Sequence, residues 1–236
     1  MVKHLKILSF IFINLFLISY QTSSGQQRES TKLKEHREQP GMTLGVNLEG
    51  PIGHFFDTDK SAFSVISHFK LPSNWFIRAE AGFENLTFSE ENQQERNYHY
   101  ESNGSFLKLG ILYDFFDVDE PGNNDNIFVG LNYGFAFQEH GSNSFIIENN
   151  YWDDYHGSLG KYVINNHWIE FLAGPRTELL KNLYMGWTLN LRVKITEDNS
   201  RVLEPFSIPG YGKGDNNITL GFSYSLEYFI PWGKTP

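Results

Sequence analysis

One stretch of fourteen residues restricts the possible folds more than any other part of this sequence. In "LYMGWTLNLRVKIT", residues 183–196, apolar residues occupy every odd position, and polar or small residues occupy every even one. The apolar positions are Leu183, Met185, Trp187, Leu189, Leu191, Val193 and Ile195. Successive side chains of a β-strand point to opposite sides, so strict alternation predicts a strand with one apolar and one polar face.

Similar alternation recurs along the chain and predicts eight strands. A second clear example is "ITLGFSYSLEYFI", residues 218–230, in which the even positions are apolar. The least regular segment is 165–178, because Pro175 interrupts it and because Trp168 and Leu172 fall on its nominally polar face. A bulge is expected there. The predicted strands are 42–50, 62–71, 75–88, 104–116, 127–138, 165–178, 183–196 and 217–230.

The connections between these strands alternate between long and short. Residues 72–74 and 180–182 form tight turns, whereas 139–164 and 197–216 are long and polar. Outer-membrane barrels have this asymmetry, with short periplasmic turns at one end and long external loops at the other. The pattern therefore predicts an up-and-down barrel with both termini at the periplasmic end.

The choice of inward face decides between a soluble and a membrane barrel. The lumen of an eight-stranded barrel is only wide enough for side chains to fill it, and the apolar faces carry many bulky residues in a chain that is 16% aromatic. The polar faces are rich in glycine: Gly45, Gly82, Gly110, Gly130, Gly134, Gly174, Gly186 and Gly221. The apolar face should therefore point outward into lipid, where only a closed barrel or a helix satisfies the backbone. A soluble, lipocalin-like barrel is the alternative, with the two faces exchanged.

The predicted fold is an all-β, eight-stranded antiparallel up-and-down transmembrane β-barrel over residues 42–232. Residues 1–25 have a basic start, "MVKHLK", an apolar run of 14 residues and a small polar end. This run is too short to span a bilayer and is typical of a signal peptide. Residues 26–41 are polar and predict a disordered N-terminal lead-in. The chain has no cysteine, which excludes disulfides, thiolate metal sites and lipidation at cysteine.

Four segments carry a family resemblance: "GVNLEGPIG", "NNHWIEFLAG", "NLYMGWTLNLR" and "FSIPGYG". They resemble an uncharacterised family of short exported proteins that form outer-membrane β-barrels in Gram-negative bacteria, and the resemblance spans residues 41–232. More broadly, the chain is similar to eight-stranded barrels of the OmpA and OmpX type. The resemblance implies a fold and brings no assigned activity. Such barrels usually end on an aromatic residue that is recognised during assembly, but here Phe229 and Trp232 precede "GKTP", so an internal signal is expected.

The inward faces of the predicted strands carry six basic and seven acidic residues. They are Glu49, Lys70, Arg78, Glu80, Glu84, Lys108, Asp114, Glu170, Arg176, Glu178, Arg192, Lys194 and Glu227. Unpaired buried charge is costly, so these groups should pair across the lumen and fill it. A charged path through a narrow channel is the alternative interpretation of the same residues.

Two short segments place a histidine two residues before a serine: "EHGSN" at 139–143 and "YHGS" at 155–158. Some small outer-membrane barrels remove acyl chains from lipid A, and one such class uses a similar His-x-Ser-Asn arrangement. His140 and Ser142 could form the minimal acyl-transfer pair, which also needs an orienting group and an oxyanion site. No acidic partner can be assigned from the sequence, so a lipid A acyl hydrolase is the alternative function.

The charge balance limits the possible partners. A net charge of −9 argues against nucleic acid, which requires a basic surface. The predicted external loops are acidic and would lie beside lipopolysaccharide, where divalent cations can bridge the two. Outer-membrane lipid and lipopolysaccharide are the expected partners, and no cofactor or metal-ligand set is predicted. The predicted function is that of a non-enzymatic outer-membrane protein with a role in surface contact or envelope integrity.

Overall fold

A computed structural model of the chain describes residues 41–56, 58–71, 74–92, 96–115, 125–147, 155–196 and 205–232. The strands are β1 Gly41–Asn47, β2 Lys60–Lys70, β3 Trp75–Asn92, β4 Arg96–Asp114, β5 Asn126–Ile147, β6 Tyr155–Leu180, β7 Leu183–Lys194, β8 Ser207–Ile208, β9 Gly212–Lys213 and β10 Ile218–Pro231. A helix, α1, spans Glu49–Phe56 among these residues. The predicted signal peptide and all but the last residue of the predicted lead-in lie outside the described residues.

Eight of the strands form a closed barrel in the order β1-β10-β7-β6-β5-β4-β3-β2. Every neighbouring pair is antiparallel. Strands β8 and β9 form a separate two-stranded hairpin between β7 and β10. The predicted fold class is therefore confirmed, and each predicted strand corresponds to one strand of the barrel.

The two faces of the barrel wall differ sharply in polarity. In β7, every even residue from Tyr184 to Arg192 is buried, whereas the odd residues face outward. Leu189 is 64% exposed, and Leu220 on the neighbouring β10 is 83% exposed. The interior instead holds most of the buried polar and charged side chains. An apolar outer surface around a polar interior is the inverse of a soluble barrel and matches a lipid surrounding.

Two asparagines form the tight turns at one end of the barrel, which we call the turn end. Asn74 has a φ of 64° and Asn182 a φ of 68°, a conformation that asparagine tolerates better than most residues. The Leu71 amide donates a hydrogen bond to the Trp75 carbonyl at 2.8 Å. The opposite end, which we call the loop end, is therefore the one that contains α1 and the hairpin.

The predicted long loop 139–164 is wrong for most of its length. Strand β5 continues to Ile147 and β6 already begins at Tyr155. The ladder between β5 and β6 continues through two register shifts, one on each side of Ser142. The backbone hydrogen bonds that continue these strands do not require alternation of the side chains, and here residues 140–142 are all buried whereas 160–163 are all exposed. The polar segment 139–164 therefore contains extensions of both strands that its side-chain pattern did not predict.

The bulge expected in segment 165–178 is absent from the pairing with β5; an irregularity lies at the end of the segment instead, where the pairing of β6 with β7 shifts register between Glu178 and Leu180. The pairing of β5 with β6 keeps one register from the Asn126–Arg176 pair to the His140–Tyr162 pair. Trp168 and Leu172 instead point into the lumen, where they are 0% and 3% exposed. The Trp168 ring needs the space above Gly134, since a Cβ at that position would clash with the ring. Large apolar side chains in the lumen, which fit there because a glycine lies opposite Trp168, explain why apolar residues occur on the nominally polar face of this strand.

The first predicted strand, 42–50, ends three residues early. Strand β1 stops at Asn47, whose side-chain oxygen accepts a hydrogen bond from the Glu49 amide at 2.9 Å. Asparagine is a favoured residue at the start of a helix for this reason. Glu49 therefore begins α1 and does not belong to the lumen face of a strand.

The predicted external loop 197–216 is wrong for its described part, because residues 205–216 turn into the mouth of the barrel. Ile208 and Tyr211 of the β8–β9 hairpin are completely buried. They form one apolar cluster with Phe106, Ala136 and Trp168 from the barrel wall. The hairpin thus closes the lumen from the loop end.

Candidate functional site: the charged lumen

The middle of the lumen holds five charged side chains, which we call the central cluster: Arg78, Glu80, Lys108, Glu170 and Arg192. Arg78 Nη2 donates a hydrogen bond to Glu80 Oε2 at 2.9 Å. Lys108 Nζ lies 3.1 Å from Glu170 Oε2 and 3.6 Å from Glu80 Oε2. Arg192 Nε donates to Glu170 Oε2 at 2.7 Å. All five residues are buried, so each charge has an opposite charge as its neighbour.

Neutral side chains satisfy the remaining carboxylate oxygens of this cluster. Ser64 Oγ and Asn47 Nδ2 donate to Glu80 Oε1 at 2.9 and 3.1 Å. Asn132 Nδ2 donates to Glu170 Oε1 at 2.9 Å. Full hydrogen bonding is what makes buried charge tolerable. Both carboxylates are therefore held in fixed positions.

Towards the turn end, Glu227 has two basic neighbours. Its Oε2 lies 2.9 Å from His68 Nδ1 and 3.3 Å from Arg176 Nη1. Ser225 Oγ donates to Oε1 at 2.7 Å. His68 Nε2 lies 3.4 Å from Arg78 Nη1, which connects this group with the central cluster.

Towards the loop end, Glu84 connects the barrel wall with the hairpin. Lys60 Nζ lies 2.9 Å from Glu84 Oε1, and Ser207 Oγ of β8 donates to the same oxygen at 2.5 Å. The lumen thus contains three successive layers of paired charge, and the outermost layer holds the hairpin in place.

The other predicted lumen residues lie at the two ends of the barrel. Glu178 Oε1 accepts a hydrogen bond from the Asn182 amide in the turn, and Lys194 Nζ donates to the Gly214 carbonyl after β9. Asp114 is buried next to the tight turn, and Lys70 ends β2 there. Glu49 reaches the central cluster from α1, with Oε2 3.7 Å from Arg192 Nη2.

Reasoning from the sequence missed the neutral partners of the lumen carboxylates, Asn47, Ser64, Asn132 and Ser225. It also missed His68, Lys60 and Ser207. His68 lies on the polar face of a predicted strand, and its even position in the alternation was enough to place it in the lumen. Lys60 lies two residues before the predicted start of β2, although its even position corresponds to the inward face of that strand. Ser207 belongs to a segment predicted as an external loop, and no periodicity indicated that it enters the barrel.

The hairpin is anchored by backbone atoms as well as by Ser207. Arg192 Nη1 and Thr219 Oγ1 both donate to the Tyr211 carbonyl at 3.0 Å, and Gln138 Nε2 donates to the Ser207 carbonyl. Burial raises the pKa of the Tyr211 hydroxyl, which donates to the Asn216 carbonyl at 2.8 Å. The closure of the lumen is therefore a bonded part of the fold.

The histidine and serine of the alternative enzyme site are both buried near the loop end. His140 is 1% exposed and Ser142 is 5% exposed. Ser142 Oγ donates a hydrogen bond to the His99 carbonyl at 2.9 Å, and His140 Nδ1 lies 3.3 Å from the Tyr100 hydroxyl. A serine nucleophile gives its proton to a base, but here the hydroxyl points at a backbone oxygen. The geometry therefore does not favour an acyl-transfer site.

No metal-binding group stands out in this part of the chain. Among the described residues, no three or more histidine, aspartate or glutamate side chains converge in a way that could hold a metal ion. The same residues include no helix that is long and apolar enough to cross a membrane.

Comparison with known proteins gives one family and several structural neighbours. The family described as "Domain of unknown function (DUF6048)" matches residues 3–235, and no curated protein matches the chain. Among solved structures, the chain is similar to the attachment invasion locus protein Ail of Yersinia pestis, with 7% identity and a TM-score of 0.36. The structure of Ail in complex with the heparin analogue sucrose octasulfate has 7% sequence identity to this chain and a TM-score of 0.40. A major outer membrane protein from Thermus thermophilus has 11% sequence identity to this chain and a TM-score of 0.43. Each match covers 81% of this chain and 98% of the other.

Proposed function

The chain belongs to the DUF6048 family, and we propose that it is a non-enzymatic outer-membrane protein whose barrel anchors an external contact surface. The apolar outer wall supports the membrane location, since lipid is the solvent that suits a closed barrel with exposed leucine and phenylalanine. The observation that carries the proposal is the closed lumen. Three layers of paired charge and a buried hairpin obstruct passage through the lumen, which argues against conduction and favours a contact role for the external surface.

The external surface is the part of the β3–β6 sheet that extends beyond the barrel at the loop end. Among the described residues, β2 pairs with β3 only as far as Leu86, and β7 pairs with β6 only from Trp168 onward. The extension therefore has two edges whose backbone groups lie outside the barrel ladder. Open edges are surfaces on which other chains can pair. This arrangement favours contact with a surface partner or with neighbouring envelope components, including lipopolysaccharide.

Cysteine labelling in intact cells tests this placement, because the chain has no cysteine of its own. Ser158→Cys places a thiol on the exposed edge of the extension, and Lys181→Cys places one in the exposed tight turn of the opposite end. We expect a membrane-impermeant maleimide to label Ser158→Cys in intact cells, and Lys181→Cys only after the outer membrane is permeabilised.

The same two variants test the contact itself when they carry a photo-crosslinking maleimide. Crosslinks to envelope or external molecules should form from Ser158→Cys and be absent from Lys181→Cys. Labelling of Lys181→Cys alone in intact cells, or recovery of the protein as a soluble periplasmic species, would contradict the proposal.

A further inference from the structure

A cavity of about 300 Å³ lies at the loop end of the lumen, between α1, the hairpin and the first three strands after α1. Its lining includes Glu49, Lys60, Ala62, Phe106, Lys108 and Arg192. Cavities of this size and of mixed polarity are typical of sites for small molecules. This space is bordered by the ion pairs and by the hairpin but is filled by neither.

The firmly held charges around this cavity do not balance. Three cations line the cavity, namely Lys60, Lys108 and Arg192, and a fourth, Arg78, is paired with the lining residue Glu80. Three buried carboxylates oppose them: Glu80, Glu84 and Glu170. Each of these carboxylates has a cation within 3.1 Å. Four positive and three negative charges leave one positive charge without a firmly held counterion. His54, which also lines the cavity, is exposed, and its Nδ1 lies 2.8 Å from the Lys60 carbonyl.

The fourth carboxylate, Glu49, is held far less firmly than the other three. Its side chain is 42% exposed, and its Oε2 lies 3.7 Å from Arg192 Nη2. By contrast, Glu170 accepts a hydrogen bond from the same guanidinium at 2.7 Å. Glu49 is also carried by α1, a helix of eight residues without a buried side chain. Exposed ion pairs contribute little to stability, so this carboxylate can be displaced without disturbing the barrel.

Arg192 is positioned to receive a replacement for Glu49. Its Nε is fixed by Glu170, and its Nη1 by the Tyr211 carbonyl at 3.0 Å. These contacts hold the guanidinium plane and direct Nη2 toward Glu49 and the cavity. A planar guanidinium matches the geometry of carboxylate and phosphate groups. The Phe106 ring forms an apolar wall of the cavity, and Lys108 Nζ lies 5.4 Å from the centre of the ring.

We propose that the cavity binds a small organic oxyanion, which replaces Glu49 on Arg192 and places its apolar portion against Phe106 and Ala62. The carboxylate of Glu49 occupies this position when no ligand is bound. The site is separate from the external sheet extension, so it does not depend on the proposed surface contact. It requires only the barrel, the hairpin and α1.

The test uses the purified full-length protein in lipid nanodiscs, with the alanine methyl groups labelled for NMR. Benzoate is the probe, benzyl alcohol is its neutral counterpart, and inorganic phosphate carries charge without an apolar body. We expect benzoate to shift the Ala62 methyl signal in a saturable manner, and benzyl alcohol to shift it at least tenfold more weakly. Inorganic phosphate should bind more weakly than benzoate, because it lacks the ring. Phenyl phosphate, which keeps the ring, separates the two sources of the anion: tighter binding than benzoate assigns a phosphate group, and weaker binding assigns a carboxylate.

Two variants separate this site from general electrostatics. Glu49→Gln should tighten benzoate binding by about three- to tenfold, because an exposed competitor of modest strength is removed. Glu139→Gln removes the same charge from an exposed position on β5 and should leave the affinity unchanged. Ala62→Leu fills the cavity without touching any charge; because it also removes the reporting methyl group, its binding is measured by equilibrium dialysis of radiolabelled benzoate, and we expect binding to be lost in the variant and kept in the wild type. Equal binding of benzyl alcohol and benzoate, equal effects of the two glutamine variants, or no saturable shift in the wild type and Glu49→Gln would overturn the proposal.

Discussion

At the scale of residues, the lumen is built from charged pairs that face each other across neighbouring strands. Glu80 and Lys108 are direct register partners in β3 and β4, and Glu170 and Arg192 are partners in β6 and β7. Opposite charges at such positions stabilise a sheet, and inside a barrel they also fill the lumen. The alternation in the sequence is enough to put these residues inside, but the pairing needs the register of each strand.

The first prediction concerns the Arg192–Glu170 pair. Arg192→Leu leaves Glu170 with Lys108 as its remaining cation, and we expect the free energy of unfolding to fall by up to about 3–5 kcal/mol. Adding Glu170→Gln removes the orphaned charge and should recover a large part of this loss. Urea unfolding of the protein in lipid vesicles measures both values.

Leu191→Arg is the matched control, because it places the same charge one position along the strand. Leu191 is on the outer face, and a cation near the middle of the bilayer costs about 2–4 kcal/mol. Glu170→Gln should not rescue this variant. Rescue of both variants, or a Leu191→Arg protein as stable as the wild type, would show that the inward and outward faces are assigned wrongly.

The second prediction concerns the buried serine near the loop end. Because Ser142 Oγ donates to the His99 carbonyl, we expect expression of the protein to leave the lipid A mass spectrum unchanged. The Ser142→Ala variant should give the same spectrum as the wild type. Loss of one acyl chain with the wild type and not with Ser142→Ala would establish the acyl-hydrolase function instead.

At the scale of elements, a strand can be predicted from the sequence when its two faces have different surroundings. Within the lipid-facing wall, each side chain has either lipid or lumen as its surrounding, so alternation identifies all eight strands. Beyond that wall the alternation is lost: residues 160–163 of β6 are all exposed, whereas 140–142 of β5 are all buried, so the extensions within 139–164 carry no such signal. The β8–β9 hairpin escaped prediction for a different reason. Its consecutive residues 207–209 are all buried, as is Tyr211, so the short segment shows no alternation that a sequence pattern could reveal.

The third prediction tests how the hairpin is seated. Gly210 has a φ of +71°, and a Cβ there would lie 2.6 Å from Phe106 Cδ2. Gly210→Ala should therefore lower the free energy of unfolding by about 1–3 kcal/mol. Displacement of the hairpin should also allow chymotrypsin to cut after Tyr211, which is buried in the wild type.

Gly53→Ala serves as the control for this change. Gly53 lies in α1, and a Cβ there meets nothing within 4 Å. Alanine at this helical position should be neutral or stabilising by up to about 1 kcal/mol, without a new cut after Tyr211. If the two variants behave alike, the packing of Gly210 on Phe106 does not hold the hairpin.

At the scale of the whole molecule, the barrel is closed twice. The hairpin caps the lumen at the loop end, and the central cluster fills it further in. The two barriers are coupled, because Arg192 donates to Glu170 in the cluster and to Tyr211 in the hairpin. The number of strands is consistent with this, since eight strands enclose only enough space for side chains. Lumen chemistry and strand number thus both argue against the channel alternative.

The fourth prediction follows from this double closure and is measured in planar lipid bilayers. We expect the wild-type protein to produce no current steps. Gly210→Ala should also produce none, because it disturbs the hairpin and leaves the central cluster intact. Glu170→Gln combined with Gly210→Ala should remain silent as well, since the glutamine side chain fills the same space as the glutamate. Steps from the wild type would favour the channel, whereas steps from Gly210→Ala alone would show that the hairpin by itself closes the lumen and that the ion pairs leave a path for ions.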